Sequence, residues 1–259
     1  ISLNVPGNQG EDIMNKTLRT GFVAGLIIAG LSAQAGQFRV TWTNTGPQPL
    51  SPLFWSVGDA SFDIFQLGGS SSAGIKAIAE GGNVNPMLSI AAGAGSALGS
   101  YGVLTPGPLM PGLTRSAIIN IDPGKDYFSF ASMLGMTNDG FIGEGVSSMG
   151  LRAYNGTTAL GFSVNIYGAR AWDAGTEANT QHSADVPAFG GSGNPADSNS
   201  LIRVHETIVP NRGDRWQNMP DWSTDTRLAT VTVLPVPEPA TMTAVGLGVL
   251  ALVRKRRTK

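Results

Sequence analysis

Two aspartates stand in polar, glycine-containing turns where their side chains could bind a metal ion. Asp139 lies in Thr-Asn-Asp-Gly, and Asp173 lies in Trp-Asp-Ala-Gly-Thr. Calcium takes about six to eight oxygen ligands, which carboxylates, backbone carbonyls and water usually supply, and Gly140 and Gly175 would let carbonyls approach closely. If the two turns meet at one edge of a sheet, they predict a calcium site. The alternative stays open, because Asp and Asn before Gly are common turn formers.

The sequence does not indicate catalytic chemistry. His182 and His205 do not form an HExxH arrangement, and there is no GxSxG elbow or P-loop. Glu144, Glu177 and Asp185 could furnish paired carboxylates for glycoside hydrolysis, but nothing in the sequence places them together. We therefore expect a protein that is not an enzyme.

The composition narrows the class of protein further. The chain has 259 residues, a formal net charge of −1, 14% charged residues, 35 glycines, 16 prolines and no cysteine. This mixture favours short strands and many turns. Without cysteine the chain cannot form disulfides or thiolate metal sites, and its only dense run of positive charge is at the C-terminal end, so we expect no nucleic-acid partner.

Strands must position the two aspartates. Residues 37–44 alternate apolar and polar side chains, which is typical of a half-buried strand. Further strands are predicted at 52–57, 116–122, 127–134, 160–169, 201–208 and 228–234. The pattern predicts an all-β fold, an antiparallel β-sandwich of about eight strands. One short helix, capped by Ser72 and ending at Gly81 and Gly82, is expected to cross one end of the sandwich.

The front of the chain has the features of an export signal. Residues 14–35 contain a positive start with Lys16 and Arg19, an apolar helix-forming stretch at 22–31 and small residues at Ala33 and Ala35. We expect signal peptidase to cleave before Gly36, and residues 1–13 to lie upstream of the true start. The mature domain is then expected at 36–234.

The tail, residues 235–259, combines three features in a fixed order. They are a proline-rich strip, an apolar helix at 242–253 too short to span a bilayer comfortably, and a basic end. The strip is Val236, Pro237, Glu238 and Pro239, and the basic end is Arg254, Lys255, Arg256 and Arg257. This order resembles the PEP-CTERM sorting signal of Gram-negative bacteria. The resemblance implies that the apolar helix pauses in the inner membrane during export, that an exosortase acts at the motif, and that the protein reaches the cell surface or an exopolysaccharide matrix.

The middle of the chain resembles a second family. The stretches at 38–55, 65–83, 129–143, 171–179 and 204–208 are similar, in this order, to the spondin N-terminal domain of bacterial secreted proteins. The resemblance implies a C2-like sandwich with calcium at one end. Asp139 and Asp173 match the ligand positions, and the third ligand, an acidic residue in the family, falls at Asn120, with Asp122 as a substitute. Asn138 and Glu177 would hydrogen-bond the ligands.

Together these features predict an exported, calcium-stabilised module that binds an extracellular polysaccharide or a surface protein. The alternative is a lectin or a polysaccharide-acting enzyme of the same matrix.

Overall fold

The computed structural model describes residues 36–180, 182–186, 188, 190–191, 201–206 and 222–237. Antiparallel strands are the main secondary structure of this part of the chain, as the composition predicts. The strands in chain order are β1 (Gly36–Asn44), β2 (Leu53–Gly58), β3 (Leu98–Leu104), β4 (Thr114–Ile121), β5 (Tyr127–Met133), β6 (Gly140–Glu144), β7 (Tyr154–Asn155), β8 (Thr158–Ala159), β9 (Phe162–Tyr167), β10 (Ala171–Asp173), β11 (Arg203–Val204) and β12 (Arg227–Pro235). The helices are α1 (Ala73–Gly81) and α2 (Asn85–Gly93), with single 3₁₀ turns at Gly95–Ala97, Gly168–Arg170 and Ser183–Asp185.

The strands form two main sheets and one small hairpin. One sheet has four strands in the order β4-β1-β12-β9, the other has six in the order β11-β10-β6-β5-β2-β3, and β7 pairs with β8. In β1 the apolar residues Phe38, Val40 and Trp42 are buried, whereas Arg39 between them is exposed. The alternation therefore turns one face of the four-stranded sheet towards the core and leaves the other face in solvent.

The core lies between the two sheets. The ring of Trp42 on β1 lies 6.0 Å from that of Phe130 on β5, centroid to centroid, and the ring of Phe162 on β9 lies 5.8 Å from that of Phe128. These contacts join strands of different sheets face to face, which defines an antiparallel β-sandwich. The all-β prediction is confirmed.

The second face of the six-stranded sheet is also covered, by α1 and α2. Ile75 and Ile78 of α1 and Met87 of α2 are buried in one apolar cluster with Phe54 of β2 and Phe141 of β6. Because both faces of this sheet are covered, all six residues of β2 and all five of β6 are buried.

The position of the helix corrects the sequence-based expectation. The predicted cap is confirmed, since Ser72 Oγ accepts a hydrogen bond from Ile75 N (3.2 Å) and the helix ends before Gly82 at φ 64°. However, α1 packs over the face of the six-stranded sheet and not across an end of the sandwich, because its buried residues need an apolar surface. A second helix, α2, accompanies it.

The predicted terminal segments lie outside the residues that the structure describes. Every described residue belongs to one compact unit of the chain. The signal segment at 14–35 and the apolar helix at 242–253 are not among the described residues. Within the described ranges, no helix has the length and apolar character needed to span a membrane.

Candidate functional site

Asp139 lies at the end of the tight turn between β5 and β6. Thr137 holds the turn closed, because its N–H and its hydroxyl both donate to the Leu134 carbonyl (3.0 and 2.7 Å) and Gly140 N donates to Thr137 Oγ1 (2.9 Å). A side chain at position 140 would meet Thr137 Oγ1 at 2.5 Å and the His205 ring at 2.8 Å. Glycine is therefore required next to Asp139.

One oxygen of Asp139 fixes the loop that follows β10. Asp139 Oδ2 accepts hydrogen bonds from Thr176 N (2.7 Å), Thr176 Oγ1 (3.1 Å) and Glu177 N (2.9 Å). The loop reaches this position through Gly175, which has φ 68° and where a Cβ would meet the backbone of Leu201 at 2.5 Å. The carboxylate therefore ties two loops that are distant in the sequence.

Asp173 lies on the neighbouring strand and is paired with an arginine. In the sheet register Asp173 of β10 faces Gly140 of β6 on one side and Arg203 of β11 on the other. Its Oδ2 accepts a hydrogen bond from Arg203 Nη2 (2.9 Å), and its Oδ1 accepts one from Gly175 N (2.7 Å). The structure thus places Asp139, in the turn just before β6, and Asp173, on the neighbouring strand β10, at the same end of the six-stranded sheet, with both side chains buried.

Two side-chain oxygens of the turn before β6 are buried without a hydrogen-bond donor in the described part of the chain. They are Asp139 Oδ1 and Asn138 Oδ1. Asn138 Nδ2 donates to the carbonyl of Asp185 (3.1 Å), so its amide is oriented by the following loop. Buried polar atoms in folded proteins almost always have a protein, water or ion partner. Each of these two oxygens can therefore accept a hydrogen bond from a donor or contact a cation.

His205 lies on the other side of the same turn. It stacks against Trp222, with ring centroids 5.5 Å apart, and its Nε2 is buried without a hydrogen-bond partner among the described residues. Burial lowers the pKa of His205 below its usual value, because the charged imidazolium loses its hydration, although the carbonyl of Glu206 and the charge of Asp139 act in the opposite direction. At neutral pH the ring is therefore uncharged.

Asn120 and Asp122, the expected third ligands, do not lie at this end. Asn120 is exposed on β4 in the other sheet, opposite Gln37, and Asp122 is exposed in the turn that bridges to Lys125. From that turn β5 carries the chain roughly 20 Å to the turn of Asp139. The expected convergence of either residue with Asp139 and Asp173 is therefore corrected: β5 runs away from positions 120 and 122.

The other expected residues lie at the site in different roles. Glu177 is buried beside Asp139 and contributes its backbone N–H to that carboxylate. Arg203, His205 and Thr176 were not anticipated from the sequence. Arg203 and His205 alternate in Arg-Val-His-Glu, a pattern that indicates a strand but not which carboxylate the strand will face.

The donor chemistry fits calcium on the Asp139 side only. Asp139 Oδ1 and Asn138 Oδ1 are hard oxygen donors, the type that calcium prefers. Asp173, by contrast, already has a cation in Arg203. Among the described residues no group of three or more His, Cys, Asp or Glu has the arrangement of a metal site. Water and backbone carbonyls would therefore have to supply most ligands of an ion held here.

Fold and site together define a β-sandwich module whose loops are tied at one end by buried carboxylates. Comparison with known proteins identifies a sorting signal. The family model described as the PEP-CTERM protein-sorting motif matches residues 235–257. None of the curated proteins compared with the chain matches it, so the resemblance to spondin N-terminal domains has no support beyond the residues quoted above. The chain carries an exosortase sorting signal, which indicates an exported protein sorted to the surface of a Gram-negative bacterium.

The matched motif begins inside the sandwich. Its first residue, Pro235, is the last residue of β12, and Val236 N still donates to the carbonyl of Gln37 on β1 (2.7 Å). Pro237, the next residue, is exposed and has no N–H to continue the ladder. The sheet therefore ends where the sorting motif begins.

Proposed function

We propose that the chain is a non-catalytic binding module of the cell surface or extracellular matrix, with loops stabilised by calcium at the Asp139 end. The observation that carries the proposal is the position of the sorting motif, which follows the last strand of the sandwich without a linker. The folded cargo of the sorting reaction is then the sandwich itself. Its partner would be an extracellular polysaccharide or a surface protein.

The calcium part of the proposal is drawn from the two buried oxygens without donors. Asp139 Oδ1 and Asn138 Oδ1 would be protein ligands, and the ion would supply the positive charge that no arginine among the described residues provides to this carboxylate. Asp173 would not bind the ion itself, because its oxygens accept hydrogen bonds from Arg203 and Gly175. It would instead hold the loop beside the ion in place. The order of spondin-like stretches in the sequence supports the same assignment.

Calorimetry of the full chain in excess calcium and in EGTA tests this assignment. A ligand at about a hundred times its Kd stabilises the folded state by about 2.7 kcal/mol, which raises the Tm of a domain of this size by roughly 5–10 °C. We expect Asp139→Asn to abolish the increment, because the neutral amide keeps the shape of the side chain and loses its charge.

Asp126→Asn is the matched control. Asp126 is another buried aspartate, but it lies at the start of β5 and pairs with Arg152. This variant should lower the Tm and keep the calcium increment. An equal Tm in calcium and EGTA for the unsubstituted protein would refute the calcium assignment.

Delivery and the absence of catalysis are tested on cells and on the purified protein. We expect the protein in the outer membrane or released polymer fraction, with a mature C-terminus near the motif as determined by mass spectrometry. Incubation with soluble polysaccharides should release no reducing ends. Turnover that disappears with a single carboxylate substitution would instead support the alternative of a polysaccharide-acting enzyme.

A further inference from the structure

The solvent face of the four-stranded sheet carries an ordered array of hydrogen-bonding side chains. Two rows cross all four strands, β4-β1-β12-β9, in register. One row is Ser116, Thr41, Thr232 and Ser163, and the other is Thr114, Thr43, Thr230 and Asn165. Rows lie about 6.7 Å apart along the strands, and neighbours within a row lie about 4.8 Å apart. We call this surface the hydroxyl face.

Neighbouring side chains of the hydroxyl face hold one another in place. Thr43 and Thr114 share a hydrogen bond between their hydroxyls (3.0 Å), as do Ser163 and Thr232 (3.0 Å), and Thr230 Oγ1 donates to Asn165 Oδ1 (2.8 Å). Each hydroxyl has one donor and two acceptor sites, so these pairings leave capacity unused. Six of the eight side chains are therefore held in pairs and are still able to bond a ligand that carries many hydroxyls.

The charge of this sheet has one sign. Its four strands contain no Asp or Glu, although the whole chain has 18 acidic residues. They carry Arg39, Arg115 and Arg227, none of which forms an ion pair within the described ranges. Arg39 and Arg227 are exposed, and they lie on opposite sides of the two rows. An anionic ligand would therefore meet a guanidinium at each end of the array.

Apolar surface accompanies each of these two arginines. Arg39 lies between Ile118 and Leu234 in the sheet register, and Arg227 faces Tyr167. The three apolar side chains are 42–49% exposed. Aliphatic and aromatic side chains of this kind pack against the C–H faces of sugar rings, while the polar groups of the sugar stay in water.

We propose that the hydroxyl face binds an acidic polysaccharide, a chain of sugars that carries carboxylate groups. The rows would bond the sugar hydroxyls, and Arg39 and Arg227 would pair with carboxylates through two parallel N–H···O bonds. This proposal rests on the proposed matrix-binding function and specifies its ligand.

The geometry favours a flexible polymer over an ordered solid. Adjacent strands of a sheet are rotated by about 20–25°, so the rows would lose register with a flat crystalline lattice across four strands. Two exposed arginines on the face are also few for a nucleic acid, whose binding sites neutralise many closely spaced phosphates.

Binding of defined oligosaccharides to the full chain tests the proposal. The probes are a polyuronate of about 20 sugars and a neutral dextran of the same length, titrated by biolayer interferometry. We expect the polyuronate to bind more tightly and the doubly substituted Arg39→Gln, Arg227→Gln protein to bind it about tenfold more weakly or worse. Lys76→Gln, which removes one positive charge from the exposed side of α1, should leave the affinity unchanged.

A second variant tests the hydroxyl rows independently of charge. Thr41→Val with Thr232→Val keeps shape and strand preference, so the Tm should not fall while polyuronate affinity falls several-fold. Equal affinity for polyuronate and dextran, no effect of the arginine substitutions, or tighter binding to duplex DNA or anionic vesicles would each overturn the proposal. A retained calcium response and surface delivery in that case would leave the proposed function intact.

Discussion

Two buried aspartates, Asp126 and Asp139, lie at opposite ends of β5 and differ in how their charge is balanced. Asp126 Oδ1 accepts from Arg152 Nη2 (3.0 Å), and its Oδ2 accepts from Arg152 Nε (3.1 Å) and Tyr154 N (3.1 Å). Asp139 receives three hydrogen bonds on Oδ2 alone, none from a charged group. Its Oδ1 is buried without a donor in the described part of the chain.

The difference indicates at which end of β5 the charge of the aspartate is already balanced and at which end a ligand could still balance it. A buried carboxylate is costly unless it is paired and hydrogen-bonded. Arg152 meets this need at Asp126, lies over the Tyr127 ring at 5.0 Å, and its own pKa is raised by the bond to Asp126. At Asp139 two backbone N–H groups and the Thr176 hydroxyl supply the donors, and Arg203 pairs with Asp173. A free cation would therefore add more to the Asp139 end than to the Asp126 end.

The largest effect is expected from Asp139→Ala in calcium-free buffer. Two backbone N–H groups, those of Thr176 and Glu177, lose their acceptor in a part-buried loop, and the Thr176 hydroxyl loses one as well. At about 1–3 kcal/mol for each unsatisfied buried group, the free energy of unfolding should fall by about 3–5 kcal/mol. Urea denaturation in EGTA measures it. A loss below about 1 kcal/mol would mean that Asp139 does not tie the two loops.

A smaller effect is expected from Asp126→Ala. Only Tyr154 N is left buried without an acceptor, because the Arg152 side chain is 47% exposed and can be hydrated. The free energy of unfolding should fall by about 1–3 kcal/mol, equally with and without calcium. A calcium-dependent loss at Asp126 would remove the distinction between the two ends.

The smallest effect concerns pH and His205. The pKa of this histidine is lowered by burial, so the unfolded chain takes up the proton at a higher pH than the folded chain. The stability contribution is complete above pH about 6.5 and is lost as pH falls, with a limiting slope of about 1.4 kcal/mol per pH unit. Asp139, Glu206 and Arg203 are the charged groups that act on the ring.

Thermal unfolding between pH 7.5 and 5.0 measures this dependence. His205→Gln cannot titrate, so its stability should fall less steeply over this interval than that of the unsubstituted protein. If stability falls equally with pH in the unsubstituted protein and in His205→Gln, the prediction is wrong, and His205 is already protonated or hydrated in the folded protein.

Local pattern was a good guide where a strand has one solvent face. The residues of β1, β4 and β12 alternate in burial, and the sequence predicted all three strands. It did not predict β6, Gly-Phe-Ile-Gly-Glu, because a strand buried on both faces shows no alternation. The helix α2 was missed for a different reason: only Met87 and Ala91 are buried, and the apolar Ile90 is exposed, so its sequence has no clear apolar face.

The site was predicted in part. The turns Thr-Asn-Asp-Gly and Trp-Asp-Ala-Gly-Thr marked Asp139 and Asp173, because such turns are recognisable within four or five residues. Arg203 could not be assigned as the partner of Asp173, which is 30 residues away in sequence and meets it only through the pairing of β10 with β11. The resemblance to the spondin family assigned Asn120 and Asp122 to the site, and the direction of β5 places them elsewhere.

The sequence alone determined the alternating strands β1, β4 and β12, the cap of α1 and the sorting motif, because each depends on side chains close together in the chain. Only the tertiary structure decided which carboxylate received an arginine and which kept an open oxygen, and that four separate strands align their threonines and serines into rows. Those properties depend on strand order and register, which arise from the burial of whole sheet faces and not from any one segment.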